Sequence, residues 1–259
     1  MDDNSAQKNS AAYRLAVLDS EFLLGDTMRG ERLHMEYKKA EEGLRACGVR
    51  STIVVFGSAR ASPTPGGRSS RRYEEARRFG RIASERGGAL KPRDGFRDNV
   101  IATGGGPGVM EAANRGAADA GAFTIGFNIG LPHEQQPNAY TTPELTFQFH
   151  YFAVRKFHLA MRANALVVFP GGYGTVDELF ELLTLIQTRK MPAIPVILVE
   201  RSYWTKVVNF QALVEEAMID PADLDLFSYA DDAEQAWREL VRCGLNTGRR
   251  PPGYPSITI

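Results

Sequence analysis

At roughly 150 residues per domain, a chain of 259 residues holds one large α/β domain or two small domains. Its 31 Lys and Arg residues balance 31 Asp and Glu residues, so no general electrostatic attraction draws it to nucleic acid or an anionic membrane. With 43% hydrophobic residues the chain can bury a real core, which excludes disorder along its whole length. Two cysteines, Cys47 and Cys243, cannot build a disulfide framework and have no CxxC spacing for zinc. Both read as buried or half-buried thiols.

The first residues, MDDNSAQKNS, lack the basic start and apolar run of a secretory leader. No stretch approaches the ~18 apolar residues of a membrane span. A soluble, cytoplasmic protein is expected, with residues 1–12 disordered. From Ser20 to Ala46, apolar residues at helical spacing (Phe22, Leu23, Met28, Leu33, Leu44) predict one or two helices, broken near Gly25 and Gly30. Beyond that point, short Val/Ile/Phe-rich runs alternate with helical stretches. The runs are Thr52–Phe56, Val100–Ala102, Thr124–Phe127, Ala165–Phe169 and Pro195–Val199. They are continuously apolar, as strands buried on both faces are. The predicted helices are Arg71–Arg86, Val109–Ala120, Phe152–Arg162, Thr175–Thr188 and Trp204–Met218. Thr146–Phe149 reads as an edge strand or an extended loop. Pro63–Ser70, Pro132–Pro143 and the tail from Gly244 read as loops.

Strand and helix in repetition predict a Rossmann-like, doubly wound parallel sheet with helices on both faces. We divide the chain into an N-terminal tail and helical extension (1–48), the α/β domain (49–245) and a C-terminal tail (246–259). In such sheets ligands bind beyond the carboxyl ends of the strands. Three of those ends carry glycine: Gly57-Ser58-Ala59-Arg60, then Thr103-Gly104-Gly105-Gly106-Pro107-Gly108, then Pro170-Gly171-Gly172-Tyr173-Gly174-Thr175. Glycine lets backbone approach a ligand closely, and a helix start offers free N–H groups and a positive dipole end. Together they form a cradle for an anion, most often phosphate. Any one such turn is explained by tight strand-to-helix geometry alone; three on one edge favour a phosphate ligand.

Several chemistries have no signature here. GxGxxG fails from Gly104, because position 109 is Val, and from Gly172, because position 177 is Asp. The chain has no P-loop and no GxSxG elbow, and His133-Glu134 is followed by Pro137 where a zinc motif needs a second His. His34, His133, His150 and His158 have no metal spacing, so neither a metal nor a cofactor is expected. The remaining candidates are Glu178, Asp177, Glu111, Arg155, Lys156, Arg60 and Ser58. Each has a structural alternative: Thr175-x-x-Glu178 is a capping box, Arg155-Lys156 a solvated basic pair, and Glu111 a carboxylate favoured by a helix dipole.

Pro170-Gly171-Gly172-Tyr173-Gly174-Thr175-Val176-Asp177-Glu178 resembles the PGGxGTxxE motif of the Lonely Guy (LOG) family, the cytokinin-activating phosphoribohydrolases and their broader nucleoside monophosphate-cleaving relatives. Arg155-Lys156 matches the family's RK pair at the family's spacing, and Val55–Arg60 and Thr103–Ala112 resemble its other ligand-facing stretches. The resemblance covers roughly residues 50–220. It implies hydrolysis of the N-glycosidic bond of a nucleoside 5′-monophosphate, AMP or a cytokinin riboside monophosphate, to free base and ribose 5-phosphate. Glu178 and Arg155 would be catalytic. Gly171, Gly172, Gly174 and Thr175 would hold the phosphate, with Lys156, Ser58, Arg60, Gly105, Gly106 and Glu111 as further contacts. A homodimer or larger assembly is expected. The lysine decarboxylase label that attaches to the family has no support here, since no lysine is placed to anchor pyridoxal phosphate. Ala153 stands where the plant-type pattern has His, which bears on base specificity more than on the reaction. The rival reading is a non-catalytic nucleotide or cofactor carrier on the same scaffold.

Overall fold

The computed structural model describes residues 3–130 and 136–247. The apolar runs form strands because each has two hydrophobic faces to bury. These are β1 (Thr52–Phe56), β2 (Val100–Thr103), β3 (Thr124–Ile129), β4 (Thr146–Phe149), β5 (Ala163–Val168), β6 (Val196–Val199) and β7 (Ser228–Ala230). All pair in parallel, in the order β4-β3-β2-β1-β5-β6-β7. Ile53, Val55, Ile101, Ala165, Val167 and Ile197 face one core, while Val54, Phe56, Val100, Ala102, Leu166, Val168 and Leu198 face the other. Helices α4 (Gly67–Gly87) and α5 (Val109–Asp119) cover the first face together with α10 (Ala233–Arg242). The second face takes α3 (Arg29–Ala46), α6 (Phe152–Met161), α7 (Tyr173–Gln187), α8 (Arg201–Val207) and α9 (Phe210–Glu215). The sheet is therefore doubly wound, as the sequence pattern implies.

Several expectations need correction. Thr146–Phe149 is a strand, paired with β3 at the sheet edge. The expected helix Trp204–Met218 is two helices, because Val208 is extended and the Asn209 side chain caps α9 by accepting from the Ala212 N–H at 3.1 Å. The loop placed at Pro63–Ser70 gives way to α4 at Gly67. Of the two expected breakers only Gly25 interrupts the N-terminal segment, between α2 (Ser20–Leu24) and α3; Gly30 lies inside α3. The polar leader is not wholly irregular, since it forms α1 (Ser5–Lys8) and a short turn of helix at Ala11–Tyr13, neither burying a side chain. Cys243 is exposed rather than buried, and Cys47 is half-buried. His133, Glu134, part of the Pro132–Pro143 loop and most of the C-terminal tail lie outside the described residues.

The N-terminal extension is fastened to the domain by polar contacts. Glu41 accepts two bonds from Arg162, at 2.8 and 2.9 Å, and one from Arg45 at 2.6 Å. Glu36 accepts from the N–H groups of His150 and Tyr151 at 2.8 and 3.2 Å. Arg32 donates to the carbonyls of Leu23 and Gly25, holding α2 against α3.

Strand order reverses at β1, which lies between β2 and β5. That is the topological switch point, where the loops leaving adjacent strand ends diverge and open a crevice.

Candidate active site

A cavity of about 720 Å³ occupies this crevice. The stretch after β1 supplies Gly57, Ser58, Ala59 and Arg60, and the turn after β2 supplies Gly104 with Met110 behind it. Phe152 and Arg155 come from α6, Gly171–Val176 and Glu178 from the loop and helix after β5, and Tyr203 and Val207 from α8. The three glycine turns are stitched together by Ser58. Its N–H donates to the Pro170 carbonyl and its carbonyl accepts from the Val109 N–H, both at 3.0 Å.

The loop after β5 is shaped by one close approach. A Cβ on Gly171 would fall 2.0 Å from Thr175 Oγ1, so only glycine lets the loop fold back onto the helix it introduces. Helix α7 starts at Tyr173, with Gly172 as its N-cap and no side-chain cap. The Thr175 N–H donates to the Gly172 carbonyl at 3.0 Å, while the N–H groups before it have no intrahelical acceptors and lie at the positive end of the dipole. Glu178 consequently sits in the second turn of α7, not the first, and the Thr175-x-x-Glu178 capping box is not formed. Glu178 instead accepts from Arg155 Nη2 at 2.9 Å.

Glu178 is buried and Arg155 largely so, with side-chain exposures of 5% and 12%. Burial pushes the Glu178 carboxyl up to about 7, even though Arg155 and Lys156 pull it down. A single charge-assisted bond is too little to repay the desolvation of the carboxylate. The Arg155 Nε is itself buried without a partner. The site therefore holds a carboxyl able to take or release a proton near neutral pH, beside a fixed cation.

The structure brings Glu178, Arg155, Gly171, Gly172, Gly174, Thr175, Ser58 and Arg60 into this one cavity. Four other expected contacts do not line it. Lys156 is tied to Asp177 at 2.8 Å and Glu181 at 3.1 Å. Glu111 turns toward α4, where it accepts from the Tyr73 hydroxyl at 2.7 Å. Gly105 and Gly106 hold the following loop through Asn138, whose N–H donates to the Gly105 carbonyl and whose side-chain amide donates to that of Gly106. Gly105 adopts φ +70°, and a Cβ there would meet Asn128 Oδ1 at 2.1 Å, so its glycine serves the fold. Phe152, Tyr203 and Val207 were missed. The rule that ligands sit at strand ends, applied to β6 as well, would have found Tyr203 and Val207. No lysine lines the cavity, so these residues do not fit a pyridoxal phosphate anchor. Among the described residues no cluster of three or more His, Cys, Asp or Glu is placed to hold a metal ion, and no helix is long and apolar enough to cross a membrane.

The fold and this crevice define a Rossmann-like α/β protein with a glycine-lined cleft at its switch point. The family model described as possible lysine decarboxylase matches residues 110–240, half of the chain, and the chain belongs to this family, the LOG family. The probable cytokinin riboside 5′-monophosphate phosphoribohydrolase LOG4 of Oryza sativa subsp. japonica is 27% identical over 208 residues, 79% of this chain and 83% of that one. Cytokinin riboside 5′-monophosphate phosphoribohydrolase LOG3 of Arabidopsis thaliana is 26% identical over 145 residues, 55% of this chain and 66% of that one. Among solved structures, the structural-genomics target TM1055 superposes with a TM-score of 0.51 at 21% identity, covering 74% of this chain and 99% of that one. The molybdenum cofactor binding protein of the phototrophic bacterium Rippkaea orientalis gives a TM-score of 0.48 at 23% identity, covering 74% and 96%. At 21% identity the TM1055 target bears on the fold alone.

Proposed function

We propose that this protein hydrolyses the N-glycosidic bond of a nucleoside 5′-monophosphate, AMP or an N6-modified relative, to free base and ribose 5-phosphate. The observation that carries the reading is the Glu178 carboxyl, buried in a glycine-lined cleft with its proton affinity raised to about 7. The names of the plant relatives support it at the level of the family.

The 5′-phosphate lies on the backbone N–H groups of Gly172–Gly174 and on the Thr175 hydroxyl, which place the ribose against Glu178. As the bond from C1′ to the base nitrogen lengthens, the sugar becomes cationic. The ionised Glu178 stabilises it and takes a proton from the attacking water. The water oxygen bonds C1′, the bonding electron pair leaves with the base, the base nitrogen takes a proton from solvent, and Glu178 returns the water's proton to solvent. Arg155 fixes the Glu178 carboxylate and orients the sugar-phosphate.

Incubation with a panel of nucleoside monophosphates, followed by chromatography, tests this. Free base and ribose 5-phosphate in equal amounts are expected. Ribose 1-phosphate, or a requirement for inorganic phosphate, would indicate a phosphorylase. Tight binding of nucleotide with no free base would indicate a carrier.

A further inference from the structure

Tyr203 lies on α8, outside every motif that pointed to the cleft. Its hydroxyl donates to the Gly171 carbonyl at 2.5 Å, and its ring lines the cavity. The phenol has little freedom. The Arg72 guanidinium from α4 lies over the ring, 5.4 Å from its centroid. Arg72 is in turn gripped by Glu200 through two parallel bonds of 2.7 Å. Glu200, at φ +67°, caps α8, and its carbonyl accepts from the Tyr203 N–H at 2.9 Å. The next residue, Trp204, is fully buried and donates from Nε1 to the Val199 carbonyl at 3.0 Å, which anchors α8 on β6.

The neighbouring carbonyls of this loop are already taken, that of Pro170 by the Ser58 N–H and that of Gly172 by the Thr175 and Val176 N–H groups, which leaves the Gly171 carbonyl to the phenol. An added Cβ on Gly172 or Gly174 would meet nothing within 4 Å, so the space beside these two glycines is open to a ligand. A peptide unit is planar and trans, so fixing the Gly171 carbonyl also fixes the direction of the Gly172 N–H. We infer that Tyr203 is a positioning residue: braced by Arg72 and Glu200, it sets the Gly171–Gly172 peptide so that the Gly172 N–H stands ready for the substrate's phosphate. This rests on the phosphate cradle of the proposed function, but not on turnover.

The test compares wild type with Tyr203→Phe, which keeps the ring and its contact with Arg72, by calorimetric titration with AMP and with adenosine. The expected result is an affinity for AMP weakened about tenfold, the loss of one hydrogen bond's contribution, with adenosine unaffected. In turnover, KM for AMP rises while kcat stays within about twofold. Arg72→Gln, which releases the phenol without removing it, should fall between wild type and Tyr203→Phe. An unchanged AMP affinity in Tyr203→Phe, or an equal loss for adenosine, would overturn the inference. Wild type that binds AMP without cleaving it would overturn the hydrolase reading and leave the affinities to decide on Tyr203. Wild type that binds no AMP would overturn both.

Discussion

Among the described residues, two buried glutamates each pair with a largely buried arginine, and their carboxyls behave oppositely. Glu41 and Glu178 are almost equally hidden, at 6% and 4% exposure. Yet Glu41 is pulled down to about 2, chiefly by its bonds from Arg162, whereas Glu178 is pushed up to about 7 by burial. The difference lies in depth as well as coordination, since desolvation outweighs every other influence at Glu178 but not at Glu41. Glu41 accepts three charge-assisted bonds from two arginines and clamps α3 to the domain. Glu178 accepts one. Burial costs the charge more at Glu178 than at Glu41, and Glu178 has fewer donors to meet that cost. The saturated pair serves the fold, and the unsaturated pair keeps a proton within reach of physiological pH.

Three changes should break or sharpen this contrast. The largest concerns Arg155→Ala, which removes the cation hydrogen-bonded to Glu178. Base release from AMP should fall by about 10²-fold or more, and because Arg155 lowers the Glu178 proton affinity, the midpoint of the pH–rate profile should move upward. A profile whose midpoint stays in place would show that the two groups are not coupled. Next, Glu41→Ala leaves the largely buried Arg162 without its carboxylate and should cost about 3–5 kcal/mol of stability in denaturant unfolding, with base release by the folded protein little changed. A loss below about 1 kcal/mol would mean the clamp contributes no more than a surface ion pair.

The smallest effect is the pH dependence of stability, and the two acids contribute with opposite signs. Glu41 binds its proton less readily folded than unfolded, so its stabilisation is present above its ordinary value near 4.5 and is lost as pH falls toward 2. Glu178 binds its proton more readily folded, so its contribution declines as pH rises from about 4.5 through 7. In Glu178→Gln the decline over that upper window should disappear while the acid limb persists; an unaltered curve would place Glu178 in an ordinary solvated setting.

Much of this was legible in the chain. Continuous apolar runs such as Thr52–Phe56 signal strands covered on both faces, and glycines after three of them mark the edge where a ligand would lie. What escaped did so for physical reasons. β7 spans three residues, too short for any periodicity to register. Val208 and Asn209 break a helix that composition alone continues. Glu111 satisfied every local rule for a ligand contact, yet tertiary packing gave it to Tyr73. Glu41 and Arg162, 121 residues apart, carry no sequence sign that they meet.

The most direct test is base release from AMP by wild type and Glu178→Gln, measured in parallel from pH 5 to pH 9. Wild-type activity should rise through a midpoint near 7, where Glu178 loses its proton. The variant, still folded and still binding AMP, should be slower by about 10³-fold with no such midpoint. A variant that turns over within tenfold of wild type, or that keeps the same pH profile, would contradict the assignment of the chemistry to Glu178.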